Sequence, residues 1–319
     1  MENIIDKFKA GETRALARLI SLLENQDPSH EDILKELFYL TGKAYVLGFT
    51  GSPGAGKSSL VDQVVKALRA AGQTVGIIAV DPSSPFTGGA LLGDRIRMQE
   101  HALDKGVFIR SMGTRGSLGG LAKTTKEVVK AMDAFGFDWV IIETVGVGQA
   151  ELDIMHVADS TVVVLTPGAG DAIQTIKAGI MEIADVFAVN KCDLPGSHKV
   201  VAEVQIMLDQ QCSHDGWRPP VVPVSCLNGQ GINDLVADIQ KHRTYLLDNN
   251  ILNSRRSERT RAETLDIAIH KWREKIFTQL KLPGRVNELL DKVAAREIDP
   301  YTAAYEILEH VSSEEQENS

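Results

Sequence analysis

Three observations predict an α/β fold with a mostly parallel, doubly wound sheet over residues 43–248. Short β-rich runs ending in Gly, Pro, Asp or Asn alternate with longer amphipathic stretches. The runs are continuously apolar rather than alternating, the pattern of strands covered on both faces. A Gly-rich turn at 51–58 links the first run to the first long amphipathic stretch, a strand-loop-helix passage suited to such a sheet.

Ahead of this domain, Ile4, Ile5, Phe8, Leu16, Leu19, Ile20 and Leu23 recur at three- and four-residue intervals with a break at Gly11, which predicts two short helices. Asp27-Pro28-Ser29 interrupts the pattern. Ser29 with Asp32 three residues on is a capping-box pattern, opening a helix through about Leu40. Residues 1–42 therefore read as an N-terminal helical extension. Strands are expected at 44–49, 74–80, 107–110, 139–142, 161–165, 186–189 and 221–224. Beyond Asp248 the strand pattern stops. Leu265, Ile269, Trp272, Ile276 and Leu280 recur at helical spacing, and Val286, Leu289, Leu290 and Val293 repeat it after Pro283-Gly284. Tyr301, Tyr305, Ile307 and Leu308 make a third apolar face before a polar tail at 312–319. Residues 249–319 either pack back on the sheet or form a helical arm. An apolar helical tail outside a complete α/β core favours an oligomer contact, with intramolecular packing as the plainer alternative.

Composition narrows the class. The 319 residues are 43% hydrophobic and 24% charged, with 34 Lys+Arg against 43 Asp+Glu for a formal charge of -9. At about 150 residues per domain this length holds two units. Apolar stretches such as 75–80 and 161–166 fall far short of the roughly 18 residues of a membrane-spanning helix, so no membrane insertion is expected. The opening residues lack an apolar h-region and are too acidic for an Arg-rich transit peptide, so a cytoplasmic, unprocessed chain is expected. Cys192, Cys212 and Cys226 form no C-x-x-C pair and match neither a disulfide framework nor a zinc site. The negative total weighs against nucleic-acid binding. The basic cluster Arg255, Arg256, Arg259 and Arg261 is interleaved with Glu258 and Glu263, the pattern of a solvated helix face.

The chemistry concentrates in the Gly-rich turn. Gly51-Ser52-Pro53-Gly54-Ala55-Gly56-Lys57-Ser58, with Ser59 adjoining, fits G-x-x-x-x-G-K-[ST] at every position. The glycines let the backbone wrap close enough for its N–H groups to face phosphate oxygens, and the following helix adds partial positive charge. Lys57 is then placed to neutralise the β- and γ-phosphates, and the Ser58 hydroxyl to coordinate magnesium.

A phosphate loop does not choose the base. Asn190-Lys191-Cys192-Asp193, directly after the run 186–189, points to guanine. The Asp193 carboxylate can accept from both the ring N–H and the exocyclic amine of guanine, a donor pair that adenine lacks. Asn190 would hold the adjoining edge, and the Lys191 stem would cover the base. Ser225-Cys226-Leu227 follows the run 221–224 and can offer backbone N–H to the base oxygen. Three acids lie at strand or loop ends: Asp81, Asp94 and Glu143. In a parallel sheet these ends share one edge, so all three can converge on magnesium and the γ-phosphate. Each has a plainer reading as a helix cap, Asp94 above all. Gly146, in Glu143-Thr144-Val145-Gly146, is placed to meet the γ-phosphate through its N–H.

The phosphate loop, Val80-Asp81-Pro82-Ser83-Ser84, Glu143 to Gln149 and Asn190 to Asp193 together resemble the metallochaperone-type GTPases, in which a glutamate replaces the aspartate usual in the third GTPase motif. Within that group the chain is similar to the MeaB-type methylmalonyl-CoA mutase-associated GTPases, over nearly its full length. Pro85 to Arg95 and Arg296-Glu297-Ile298-Asp299-Pro300-Tyr301 extend the likeness. The resemblance implies a homodimer, joined through C-terminal helices, that binds an adenosylcobalamin-dependent acyl-CoA mutase, gates its cofactor loading and protects it from inactivation. It also implies that Asp81 and Asp94 lie in a first switch and that Glu143 to Gly148 form a second. The loop 167–171, leading to Gln174 and Lys177, would be a third switch facing the mutase; by its residues alone it is an ordinary connection. Cys192 departs from the small residue common at the variable position of the base motif, where backbone geometry matters most.

Two rivals share these motifs. A nickel metallochaperone needs soft ligands, and no cysteine here has a neighbouring Cys or Pro-His; Cys212 with His214 is the nearest mixed pair. A transport-linked kinase or ATPase needs adenine selectivity, which Asp193 opposes. A non-hydrolysing nucleotide-dependent scaffold fits the same sequence. The preferred expectation is magnesium-assisted GTP hydrolysis to GDP, with water attacking the γ-phosphate in line, Asp81 orienting it, and Lys57 and backbone N–H groups stabilising the charge. With no glutamine or arginine finger evident in cis, intrinsic turnover is expected to be slow.

Overall fold

The computed structural model describes residues 2–81, 101, 103–113, 123–144, 150–168, 180–211, 216–280 and 285–317. The chain divides into two compact units, Met1–Asn250 and Ile251–Ser319.

The first unit opens with helices α1 (Glu2–Lys9), α2 (Thr13–Glu24) and α3 (His30–Phe38). Strand β1 (Tyr45–Thr50), helix α4 (Lys57–Ala70), β2 (Val75–Asp81) and β3 (Val107–Gly113) follow. Then come α5 (Lys123–Phe135), β4 (Trp139–Glu143), the short α6 (Ala150–Asp153) and β5 (Ser160–Leu165). The unit ends with β6 (Val186–Val189), α7 (Ser197–Gln211), β7 (Val221–Pro223) and α8 (Ile232–Asp248). All seven strands join one sheet in the order β3-β2-β4-β1-β5-β6-β7, and every neighbouring pair is parallel. The α/β reading therefore holds, each strand lying within a few residues of its expected place. Residues of β1, β4, β5 and β6 are buried along their whole length, which is why their sequences are continuous apolar runs.

From β1 the chain winds one way to β2, β3 and β4 and the other way to β5, β6 and β7. The loop after β1 thus opens at the reversal of strand order, where an open parallel sheet leaves a crevice at its carboxyl edge.

The N-terminal helices cover one side of this sheet. Leu16, Leu19, Ile20 and Leu23 of α2 are fully buried in one cluster with Val128 and Met132 of α5 and Ile142 of β4. Each such side chain contributes about 1.5–3 kcal/mol of burial. Polar contacts set the register: the Asp133 carboxylate accepts N–H bonds from Gly42, Lys43 and Ala44 at 2.6, 3.0 and 2.8 Å, and Arg110 of β3 pairs with Glu24. The expected capping box at Ser29 does not form. Ser29 makes no side-chain cap and donates both its N–H and its hydroxyl to Asp27 Oδ1, a nearer acceptor that wins the local competition.

The second unit comprises α9 (Ile251–Leu280), α10 (Arg285–Ala294) and α11 (Pro300–Glu317). Asp299 caps α11, its Oδ1 accepting from the N–H groups of Tyr301 and Thr302 at 2.9 and 3.0 Å, with Pro300 in the first turn. The polar tail is helical as far as Glu317. Leu289 and Ala303 are buried, whereas Leu265, Ile269, Trp272, Tyr301 and Tyr305 are exposed. Among the described residues no helix is long and apolar enough to cross a membrane.

Candidate nucleotide site

The phosphate loop leaves β1 at Thr50 and closes on α4. Gly51 has φ +137°, and a Cβ there would lie 2.2 Å from Val164 O; Gly56 has φ +87°, and its Cβ would lie 2.3 Å from Asn190 Nδ2. Only glycine fits either position. Gly56 supplies no side-chain cap to α4, so the N-terminal N–H groups of that helix are left for an anion. Lys57 is buried and donates from Nζ to Gly51 O at 2.7 Å and Ser52 O at 3.1 Å, which holds its ammonium under the loop. Ala55 is buried, while Pro53, Gly54 and Ser59 are exposed.

Beside the loop stands the end of β4. Glu143 is in register with Phe49 of β1 and Ala79 of β2, and its Oε1 accepts from the Ser58 hydroxyl at 2.5 Å. Thr144 turns back to the same place, its N–H donating to Phe49 O at 3.0 Å. Asp81 ends β2, paired in register with Gly113; its side chain, together with Asp94 and Gly146, lies outside what the structure describes. Of the proposed switch loop at 167–171, only residues 167 and 168 are described.

A carboxylate that the sequence did not single out adjoins this edge. Glu151 is the second residue of α6, its backbone oxygen accepting from the Thr50 hydroxyl at 3.4 Å, and its Oε1 is buried with no hydrogen-bond partner among the described residues. Burial raises its pKa, opposed by the nearby charge of Lys57. Its only sequence signal is a position eight residues beyond Glu143.

Two further strand ends bring the base motifs together. Asn190 N–H donates to Leu165 O at 2.8 Å, Cys192 N–H to Val224 O at 3.0 Å and Ser225 N–H to Gln230 O at 2.9 Å, locking the loops after β6 and β7. The Ser225 hydroxyl donates to Asp193 Oδ1 at 2.5 Å and so orients that carboxylate. Lys191 adopts φ +59°, a conformation that ordinary side chains seldom take, and its Nζ reaches Gly54 O at 2.9 Å. Asn190 Nδ2 donates to Ala55 O at 2.8 Å, a second tie to the phosphate loop. Leu227 projects into solvent at the loop tip. The fold thus gathers Gly51 to Ser58, Glu143, Asn190 to Asp193 and Ser225 to Cys226 at one edge, with an anion seat at the α4 terminus and a fixed carboxylate at Asp193.

The chain is similar to known proteins over most of its length. A relative from Pyrococcus abyssi (strain GE5 / Orsay) is 47% identical over 314 residues, covering 98% of this chain and 97% of its own. The GTPase ArgK of Escherichia coli (strain K12) is 37% identical over 251 residues, 76% of each chain. The crystal structure of an LAO/AO transport system kinase matches with a TM-score of 0.70 at 26% identity, covering 98% of this chain and 97% of its own. The family model for the methylmalonyl Co-A mutase-associated GTPase MeaB matches residues 16–281. This chain is a GTPase and belongs to the MeaB family.

Proposed function

We propose that this GTPase is a chaperone of an adenosylcobalamin-dependent acyl-CoA mutase of the methylmalonyl-CoA mutase type, gating cofactor loading and protecting the mutase. The observation that carries the reading is the Ser58–Glu143 hydrogen bond, which couples the phosphate loop to the start of the second switch motif within a chain of mutase-associated family. A change at the γ-phosphate would reach Glu143, where the segment suited to report nucleotide state to a partner begins.

The site fits magnesium by its donor chemistry: a hydroxyl and a carboxylate side by side, all oxygen. Ser58 and Glu143 would hold the cation, with Asp81 and Asp94 as the further carboxylates; when bound it neutralises phosphate charge. The chain's own residues do the rest. The loop N–H groups and Lys57 bind the β- and γ-phosphates, Asp81 orients the attacking water, and the Gly146 N–H meets the γ-phosphate. Asp193, held by Ser225, accepts from guanine, Asn190 and Lys191 frame the base, and Cys226 and Leu227 offer backbone N–H to its oxygen. Adenine would leave that carboxylate without its two base donors, which disfavours a kinase or ATPase reading. The exposed apolar residues of α9 are assigned to a homodimer contact, and the chain to the cytoplasm.

The test is co-purification of the tagged protein from its native host, followed by GTPase assay with and without the recovered mutase. Stimulated turnover with the mutase supports the reading. Equal turnover with and without it, or no mutase recovered, would overturn the gating role.

A further inference from the structure

Cys226 lies in the loop assigned to the base oxygen, yet its side chain points to a different task. Its Sγ lies 3.3 Å from Asn190 Oδ1, while Asn190 Nδ2 donates to Ala55 O at 2.8 Å. Asn190 is only 2% exposed, and its nitrogen occupies the space that a Cβ at Gly56 would fill. We propose that Cys226 is a positioning residue of the nucleotide site: its thiol donates to Asn190 Oδ1 and fixes the carboxamide that ties the base loop to the phosphate loop. The inference rests on reading residues 190–193 and 225–227 as the base site.

The chemistry allows one seating of this carboxamide. Its nitrogen must face Ala55 O, since a flipped amide would set oxygen against oxygen. Oδ1 then needs a donor, and the neighbouring Ser225 hydroxyl is engaged with Asp193. The Cys226 thiol fills that role. Burial pushes the thiol up to about 11, opposed by its hydrogen bond with Asn190 and reinforced by the Asp62 and Asp193 carboxylates, so it remains a protonated donor at neutral pH. The chain thiol, carboxamide, Ala55 carbonyl is thus continuous from the loop after β7 to the phosphate loop. An alanine at 226 would leave a buried carbonyl oxygen without this donor, a larger loss than the weak S–H bond alone represents.

The experiment measures release of a fluorescent GDP analogue from the full-length protein. Cys226→Ala is expected to speed dissociation roughly three- to tenfold with association nearly unchanged. Cys226→Ser, which restores a donor, should return the rate to within about twofold of wild type. In an Asn190→Ala background, Cys226→Ala should add nothing further, because the group it positions is gone. Unaltered release from Cys226→Ala, or the same loss with and without Asn190, would overturn the proposal; the second result would mark a merely structural thiol. Asp193→Asn separates the underlying assignment. If it fails to shift preference from guanine to xanthine nucleotides, the base-site reading falls; if it shifts preference while Cys226→Ala is silent, only the thiol's role falls.

Discussion

The Ser58 hydroxyl donates to Glu143 Oε1 over 2.5 Å, joining the first turn of α4 to the last residue of β4. These residues are 85 positions apart, and only the parallel pairing of β1 with β4 brings them together. Ser58 belongs to the phosphate loop, and Glu143 opens the segment proposed as the second switch. A perturbation of either residue should therefore affect chemistry and signalling together.

Ser58→Ala and Glu143→Gln should each lower the rate of GTP hydrolysis by about 100-fold or more, as expected when a charge-stabilising contribution of several kcal/mol is lost. Magnesium titration of the rate checks this. Both variants should need more magnesium for half-maximal rate, and an unchanged magnesium dependence would remove the pair from the cation site.

Lys57→Ala should abolish tight GTP binding while the protein remains folded. The ammonium donates to two loop carbonyls, Gly51 O and Ser52 O, so its loss should also lower stability by about 1–3 kcal/mol. Calorimetric GTP titration beside urea unfolding separates the two effects. Retained hydrolysis would count against the role of the loop.

At the base end, Ser225→Ala should weaken GDP binding roughly tenfold, because the hydroxyl that orients Asp193 is charge-assisted. Asp193→Asn should reverse the donor pattern and favour xanthine nucleotides. Competition binding with guanosine, xanthosine and adenosine diphosphates reads both variants. Undiminished GDP affinity in either would dissociate that residue from base recognition.

The parts of this molecule that were legible in the sequence are those where physics leaves few residue choices. Strands such as Val186–Val189 are buried on both faces and so must be apolar throughout. Gly51 and Gly56 are dictated by positive φ and by atoms 2.2–2.3 Å from a missing Cβ. What was not legible depends on partners distant in sequence or on local competition. The Ser29 cap lost to Asp27, two residues before it, although the spacing to Asp32 was that of a capping box. The thiol of Cys226 and the ammonium of Lys191 find their acceptors 36 and 137 residues away, and no motif records such a pairing. Glu151 belongs to no motif; its significance is its burial beside Lys57.

A pH prediction follows from Arg69 and Asp104. The guanidinium donates to both carboxylate oxygens at 2.8 Å, and the Gly106 N–H adds a third bond at 2.8 Å, so the Asp104 carboxyl is held down to about 2 from 3.8. A depressed folded pKa means the contribution is complete above the unfolded value of about 4 and is lost as pH falls towards about 2. Wild type should therefore be more stable than Asp104→Asn by a constant margin from pH 5 to pH 7, narrowing between about pH 4 and pH 2. Urea midpoints across that range test it; a margin that stays constant down to pH 2 would exclude the carboxylate as its source.

The second unit supplies the last prediction. Leu265, Ile269 and Trp272 sit four and three residues apart along α9, hence on one face, and are 64%, 66% and 46% exposed. Three large exposed apolar side chains in one stripe on a charged helix form the kind of patch that a second copy buries. Changing Leu265 and Ile269 to Glu removes apolar area and places charges where the partner's copies of the same residues would meet them. By the symmetry of such a contact, each substitution then acts twice. The double variant should sediment as a monomer at concentrations where wild type is a dimer, with the dimer dissociation constant raised at least about tenfold. Intrinsic GTP hydrolysis per chain should persist, because the residues proposed for the nucleotide site all lie within 51–227. A wild-type protein that sediments as a monomer would remove the dimer assignment; a double variant that stays dimeric would move the contact to another face.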